Sequence, residues 1–413
     1  MFVVLILFIV IMPSKPIPLK LVLVGGGHSH SVALLNWLGQ SRLLRHSPIV
    51  DITLITPNSQ TIYSGSVPGH LAGWWNREAC EVNVADLAID LGIKVIFDEA
   101  IGLDLAQQCV ICRNHAPIEF DTLSLDTGST PQIPTMASQR IIPMKPMGLL
   151  LNSLEPYLTL ELSKGPSKTS PETLPRTALS MAIVGGGLGG VEVALSLKER
   201  LGNQLDLSLI CRSPTIAPAQ SKAIQTFLTQ ELTSRSVRVY LNTTVNSVQE
   251  TTNGVNLTLN SGEYSSNSSS NLSCDVSLWA TQATSPQWIR DSGLKTDDRG
   301  FILVDQTLRS VSHSNIFASG DIATIQNSPQ PKAGVLAVRE GKILGHNLRR
   351  SLATQSLKSF NPQSRYLNLV SLGDRRAVAS YGEFSMTTTI IQPWLWHWKK
   401  TIDDGFVSGL NLR

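Results

Sequence analysis

Apolar residues recur along this chain with two different periods. Residues 19–24 (LKLVLV) and 51–56 (DITLIT) are short, β-branched apolar runs, the pattern of parallel strands buried on both faces. Between them, SHSVALLNWLGQSRLLRH spaces its apolar residues helically, so the whole predicts a β-α-β unit. Beyond residue 92, IKVIFDEAIGLDL, CVICR and FDTLSLDTG predict one parallel strand, a hairpin and a returning strand. A polar, proline-rich stretch at 163–177 (SKGPSKTSPETLPRT) is a candidate boundary. The opening theme then returns in ALSMAIVGGGLGGVEVALSLKERL, with LDLSLICR at 205–212 as its next strand, and SGEYSSNSSSNLS at 261–273 predicts an elongated hairpin tip.

Composition narrows the classes. With 413 residues, 42% apolar and 16% charged, the chain can bury two or three cores, which excludes wholesale disorder. A net charge of +3 with scattered basic residues leaves no footprint of a nucleic-acid binder, so no nucleic-acid partner is expected. Five cysteines (Cys80, Cys109, Cys112, Cys211 and Cys274) form no disulfide framework and point to a reducing, cytoplasmic setting. The apolar opening MFVVLILFIVIM is shorter than the roughly 20 residues that cross a bilayer, and it lacks the flanks of a secretory signal. Translation from Met12 and a short membrane anchor both remain open readings.

The glycine clusters carry the chemistry. A dinucleotide diphosphate binds at a helix N-terminus, where unpaired N–H groups and the helix dipole favour negative charge. The first glycine of G-x-G-x-x-G permits the turn, the second the phosphate approach, and the third close helix packing. Gly185, Gly187 and Gly190 fill all three positions. In the opening copy Gly25, Gly26 and Gly27 are followed by His28 and, at the third position, His30. Two histidines alone hold no metal; His46 lies beyond the helix and no acidic residue occurs between 21 and 50, so no metal site is expected. Cys109 and Cys112 have C-x-x-C spacing, but on a strand they point to opposite faces, which argues against a redox pair.

Further motifs bring in a resemblance. DTLSLDTGS (121–129), DVSLWATQATSP (275–286, with Gln282 at an expected glycine) and NIFASGDIA (315–323) resemble the exit strands and second flavin signature of the FAD-dependent pyridine nucleotide-disulfide oxidoreductases. YSGSVPGHLAGWW (63–75), PKAGVLAVREGKILGHNLR (331–349), SLGDRRAVASYG (371–382) and WLWHWKKTID (394–403) are similar to the module fused ahead of selenide, water dikinase, in the type II NADH dehydrogenase-like branch. The resemblance implies an α/β fold of two Rossmann-like, three-layer ββα dinucleotide-binding domains. An FAD-binding domain (18–135 and 291–355) would be interrupted by an NAD(P)-binding domain (136–290), and a small α+β region (356–413) would follow as an interface or membrane contact.

The same resemblance assigns roles. Gly25, Gly26, Gly27, His28, Thr127, Gly128, Gly320 and Asp321 would hold FAD, with Ser64, Gly65 and Gly69 along the flavin. Gly185, Gly187 and Gly190 would hold NADPH or NADH. Glu192, near the nicotinamide, and Lys332, approaching the flavin wall, are the catalytic candidates. Arg212, at the end of the second strand, where NAD binders carry an acid, leans to NADPH. Asn58 stands where a glutamate commonly holds the FAD ribose. A non-disulfide, NADH:quinone reductase-like enzyme is expected, passing electrons to a quinone or another small acceptor. A flavin-binding regulatory or partner protein of little turnover is the second reading. The tryptophans and lysines of PWLWHWKKTIDDGF suit peripheral membrane contact, or equally a strand ending in solvated Lys399 and Lys400.

Overall fold

Strand, glycine loop and helix alternate in the order that the apolar pattern requires. The computed structural model describes residues 18–38, 50–134, 137–159, 178–261, 269–363 and 365–411. The N-terminal apolar run, His46, the 163–177 connector and residues 262–268 of the expected hairpin tip lie outside the described residues, while Ser269–Cys274 pairs as a strand with Gly254–Ser261.

β1 (Leu19–Val24) leads into α1 (His28–Leu38), and β2 (Val50–Thr56) returns parallel to β1 with Leu19 opposite Val50. α2 (Val67–Leu71), β3 (Lys94–Phe97) and β4 (Thr122–Leu125) follow. A three-stranded antiparallel sheet separates the last two strands. It contains Cys109–Cys112, where Cys112 is buried and Cys109 is not, and all five cysteines are free thiols.

The chain then builds a second sheet. β5 (Ile141–Pro143), α3 (Met147–Leu158), β6 (Leu179–Val184), α4 (Leu188–Leu201), β7 (Leu205–Ile210), α5 (Lys222–Ser234), β8 (Arg238–Tyr240) and β9 (Val276–Trp279) give the parallel order β5-β9-β6-β7-β8. β10 (Ile316–Ala318) returns to the first sheet, completing the parallel order β10-β4-β1-β2-β3. Consequently β1 and β6 each stand where the strand order changes direction, and ligands of open α/β sheets bind at the carboxyl ends of strands there.

α6 (Gly334–Leu352) crosses α1 at close range. A Cβ on Gly341 would stand 2.6 Å from the Ser29 carbonyl oxygen, and one on Gly345 would stand 3.2 Å from the Ala33 Cα. The C-terminal region is an antiparallel sheet of β11 (Leu367–Ser371), β12 (Ala377–Tyr381) and β13 (Phe384–Met386), packed under α7 (Gln392–Leu410). The three tryptophans therefore sit on a helix and not on a strand. Alternate residues of a helix fall nearly opposite one another, so Trp396 is buried while Trp394 and Trp398 are exposed. No helix among the described residues is long and apolar enough to cross a membrane.

Candidate functional site

The two glycine loops share one hydrogen-bond frame. The N–H of Gly25 donates to Ile55 O at 2.8 Å, and that of Gly185 donates to Ile210 O at 2.8 Å. Asp126 N donates to Val24 O at 2.9 Å, and Ala280 N to Val184 O at 2.8 Å. Gly25 (φ +96°) and Gly185 (φ +127°) both have left-handed backbone, and a Cβ on either would stand 2.3 Å from the carbonyl oxygen of Asp126 or Ala280. Only glycine meets both demands. Residue by residue, Gly25 matches Gly185, Gly27 matches Gly187, His30 matches Gly190, and Asp126 matches Ala280.

The third position explains itself by the same overlay. A Cβ on Gly190 would lie 2.1 Å from Gly185 O. The first loop carries a full imidazole there, and it bonds to the equivalent carbonyl: His30 Nδ1 is 2.6 Å from Gly25 O and Nε2 is 2.8 Å from Ser124 Oγ. Burial lowers both His28 and His30 to about 4, so both rings are neutral at ordinary pH.

The loops differ most at their second glycines. Nothing lies within 4 Å of a Cβ placed on Gly187. On Gly27 it would meet the Asp126 carboxyl at 2.4 Å. Asp126 Oδ2 accepts the His30 N–H at 2.9 Å, and the Ser29 N–H also faces this carboxyl. Burial raises Asp126 to about 7. Glu340, from α6, is likewise raised to about 7 by burial and accepts the Gly320 N–H at 2.6 Å.

Asp321 lies across from this pair. Burial alone would raise its carboxyl, but the Lys145 ammonium, the Ser129 hydroxyl and Lys332 outweigh burial and hold it below the usual carboxylate range. Lys145 pairs with it directly, and Ser129 Oγ donates to it at 2.8 Å. His28 Nε2, Thr127 Oγ1 and Ser319 Oγ are buried polar atoms with no partner among the described residues. Unpaired buried groups of this kind are costly unless a ligand completes them. With the two glycine cradles, they fit a bound dinucleotide.

A second constellation forms where YSGSVPG meets α7. Lys399 Nζ donates to Gly65 O and to Asp403 Oδ2, both at 2.6 Å, and Tyr63 OH donates to Asp403 Oδ1 at 3.1 Å. Lys399 and Asp403 side chains are only 12% and 7% exposed, so this is a buried ion pair and not a solvated helix end. The Tyr63 ring lies 4.5 Å from Phe406 and 5.5 Å from His28, which ties α7 to the first turn of α1. Gly65 and Gly69 are required by close approach: a Cβ would lie 2.6 Å from Asp403 Oδ1 at Gly65 and 1.9 Å from the Trp75 indole at Gly69. Glu192, from the first turns of α4, stands behind the wall of the same crevice, accepting the N–H of its lining residue Ser371 at 2.8 Å. Burial raises its carboxyl, with the Lys399 charge opposing.

The lysine that reaches Gly65 is Lys399. Lys332 instead bonds to Ala323 O and Thr324 Oγ1, lies 4.1 Å from the Phe301 ring centroid, and is lowered to about 8 by burial. Its neighbour Gly334 is what faces Ser64, at 3.2 Å for an added Cβ. Gly128 and Gly320 have left-handed backbone at φ +73° and +67°. Arg212 is exposed just beyond β7, and Asn58 is exposed just beyond β2. Tyr63, Asp126, Lys145, Lys399 and Asp403 are the residues that sequence reasoning missed.

The family model for pyridine nucleotide-disulphide oxidoreductases matches residues 18–341. The chain belongs to this family. It is an oxidoreductase of the FAD- and NAD(P)-dependent kind. It is 24% identical over 286 residues to ferroptosis suppressor protein 1 of Xenopus tropicalis, covering 68% of this chain and 70% of that protein. It is 24% identical over 306 residues to demethylphylloquinone reductase NdbB of Synechocystis sp., covering 73% and 71%. The fold is similar to that of NDH2 from Plasmodium falciparum in complex with NADH, with a TM-score of 0.73 at 16% identity over 94% of this chain and 97% of that one.

Proposed function

We propose that this protein takes a hydride from a nicotinamide onto FAD and passes the electrons to a quinone or another small acceptor. The observation that carries the reading is the repeated glycine frame on two parallel sheets, with Lys399 and Asp403 in one crevice and Glu192 bonded to Ser371 on its wall. The FAD-binding parts are 18–135 and 291–355, the NAD(P)-binding part is 136–290, and 356–413 forms the acceptor side. FAD, when bound, supplies the hydride-accepting ring and passes its electrons on.

The residues of the chain do the rest. Gly25, Gly26 and Gly27 admit the FAD diphosphate, while His28, Thr127, Gly128, Gly320 and Asp321 line its path. Gly185, Gly187 and Gly190 admit the nicotinamide dinucleotide, and Arg212 favours the extra phosphate of NADPH. Ser64 and Gly65 form the flavin wall. Lys399, held by Gly65 O and by Asp403, which Tyr63 in turn anchors, is the proton donor for a reduced acceptor, with Glu192 nearby. Kinship with a demethylphylloquinone reductase supports a quinone as that acceptor. The motifs at 63–75, 331–349 and 394–403 support a finer kinship, with the module fused to selenide, water dikinase.

Peripheral membrane contact also belongs to this reading. Trp394, Trp398 and Ile402 follow one another at helical spacing on the open face of α7, and Phe384 and Met386 on β13 and Ile390 in the turn before α7 are exposed as well. Exposed aromatic and aliphatic residues on one helix face suit a lipid interface, where a quinone is held. The functional test is steady-state reduction of a short-chain quinone with each nucleotide, with Arg212→Ala alongside. NADPH is expected to be the better donor, and the variant to raise its KM about tenfold by loss of a charge-assisted phosphate contact. Better turnover with NADH, unchanged in the variant, overturns the NADPH assignment; turnover with neither overturns the reading.

A further inference from the structure

The two loops are copies of one frame, yet one of them carries an anion of its own. At the second loop, Ala280 leaves the space before Gly187 open. At the first, the matching residue is Asp126, whose carboxyl fills the space before Gly27 and accepts the N–H groups at the start of α1. Those N–H groups and that space are what a diphosphate uses at a helix N-terminus. Asp126 thus stands as an internal substitute for the ligand's charge.

We propose that Asp126, ionised in the flavin-free protein at mildly alkaline pH, becomes a neutral acid when FAD is bound, so that FAD uptake there carries a proton from solvent with it. This rests on the reading that the Gly25–Gly27 loop holds FAD. The reason is like-charge proximity: two anions at one buried site do not both stay ionised. The FAD diphosphate is a diester with no proton to take up near neutral pH, so the proton falls to the carboxyl. As a neutral acid Asp126 offers an O–H donor where it formerly offered only an acceptor.

Among the surrounding groups Glu340 is brought to about 7 as well, but Asp126 is the one whose carboxyl fills the space before Gly27. From α1, His28 and His30 are neutral, and His30 is committed through both ring nitrogens to Gly25 and Ser124. From the turn after β10, Asp321 is paired with Lys145. From α6, Glu340 accepts the Gly320 N–H and is opposed by Lys332, itself bound to Thr324. In the flavin-free protein burial already brings the Asp126 carboxyl to about 7, so its charge is within reach of modest perturbation.

The test is a proton count on FAD binding to the full-length, flavin-stripped protein, by calorimetry at pH 8 in two buffers of different ionisation enthalpy. Fluorescence titrations across pH 7.5 to 8.5 accompany it. The expected result is uptake of about one proton per FAD, a dissociation constant rising about tenfold per pH unit, and loss of both effects in Asp126→Asn. Glu340→Gln is expected to keep the uptake. Uptake near zero in the unaltered protein overturns the proposal, because Asp126 would then swing aside without titrating; this count needs no variant to fold. Uptake that persists in Asp126→Asn, or vanishes in Glu340→Gln alone, also overturns it. Failure to bind FAD at any pH would instead sink the assignment of the loop.

Discussion

The Nδ1 atom of His30 lies 2.6 Å from the carbonyl oxygen of Gly25. A carbonyl only accepts, so Nδ1 carries the proton and Nε2 accepts from the Ser124 hydroxyl, which fixes the tautomer. The imidazole thereby holds the first glycine of its own loop, in place of the close contact that Gly190 makes with Gly185. Replacing His30 with Ala empties a buried site and strands Ser124, and should lower stability by about 2–4 kcal/mol in urea denaturation. His30→Gly, which restores the three-glycine pattern, should recover none of this; a variant as stable as the parent would show that the ring is merely accommodated.

The stability of the flavin-free protein should respond to pH through the same cluster. Asp126 is raised from 3.8 to about 7, so its stabilising contribution is complete at low pH and is lost as pH rises through about 7. His28 and His30 are lowered from 6.5 to about 4, so each contributes stability that is present above 6.5 and lost as pH falls towards 4. The two effects oppose one another across the window they share. Asp126→Asn removes the opposing carboxyl, so its stability relative to the parent should climb by about 1.4 kcal/mol per pH unit between roughly pH 4.5 and 6.5. A difference that stays flat across that window, in denaturation curves at four pH values, contradicts the assignment.

Lys399 should separate the two half-reactions. Lys399→Met leaves Asp403 buried without its cation, at a cost of about 3 kcal/mol in stability. Reoxidation of the reduced flavin by a quinone should slow by roughly 100-fold, the scale of a lost general acid. Reduction of the flavin by nicotinamide should be unchanged. Stopped-flow traces that slow equally in both halves would place Lys399 in the structural frame alone.

The exposed face of α7 makes a prediction independent of chemistry. Trp394 and Trp398 are 76% and 50% exposed, so converting both to Ser should change stability by no more than about 0.5 kcal/mol. Co-sedimentation with anionic phospholipid vesicles should be lost. Equal pelleting of parent and variant would show that this face of α7 makes no membrane contact.

Much of the fold was legible because strand, glycine loop and helix are local patterns, and both copies lie where the apolar runs put them. The ends of the site were not. Tyr63 and Asp403 are 340 positions apart, and Lys145 and Asp321 are 176 apart, so no periodicity or spacing could pair them. The three tryptophans misled in a different way, since alternate spacing suggests a strand while positions 394, 398 and 402 also trace a helix face. Asp126 was available in principle: aligning the exits LSLDTG and SLWATQ sets Asp126 against Ala280. Only the geometry shows that the difference fills one phosphate space and leaves the other open.

Anaerobic titration of the FAD-reconstituted protein, followed by its flavin absorbance, reads out hydride transfer from nicotinamide and electron transfer to quinone in one experiment. The expected result is a yellow protein whose flavin band bleaches with one equivalent of NADPH or NADH and returns on addition of a quinone. A protein that takes up no FAD, or whose bound flavin stays oxidised with both nucleotides, would contradict it.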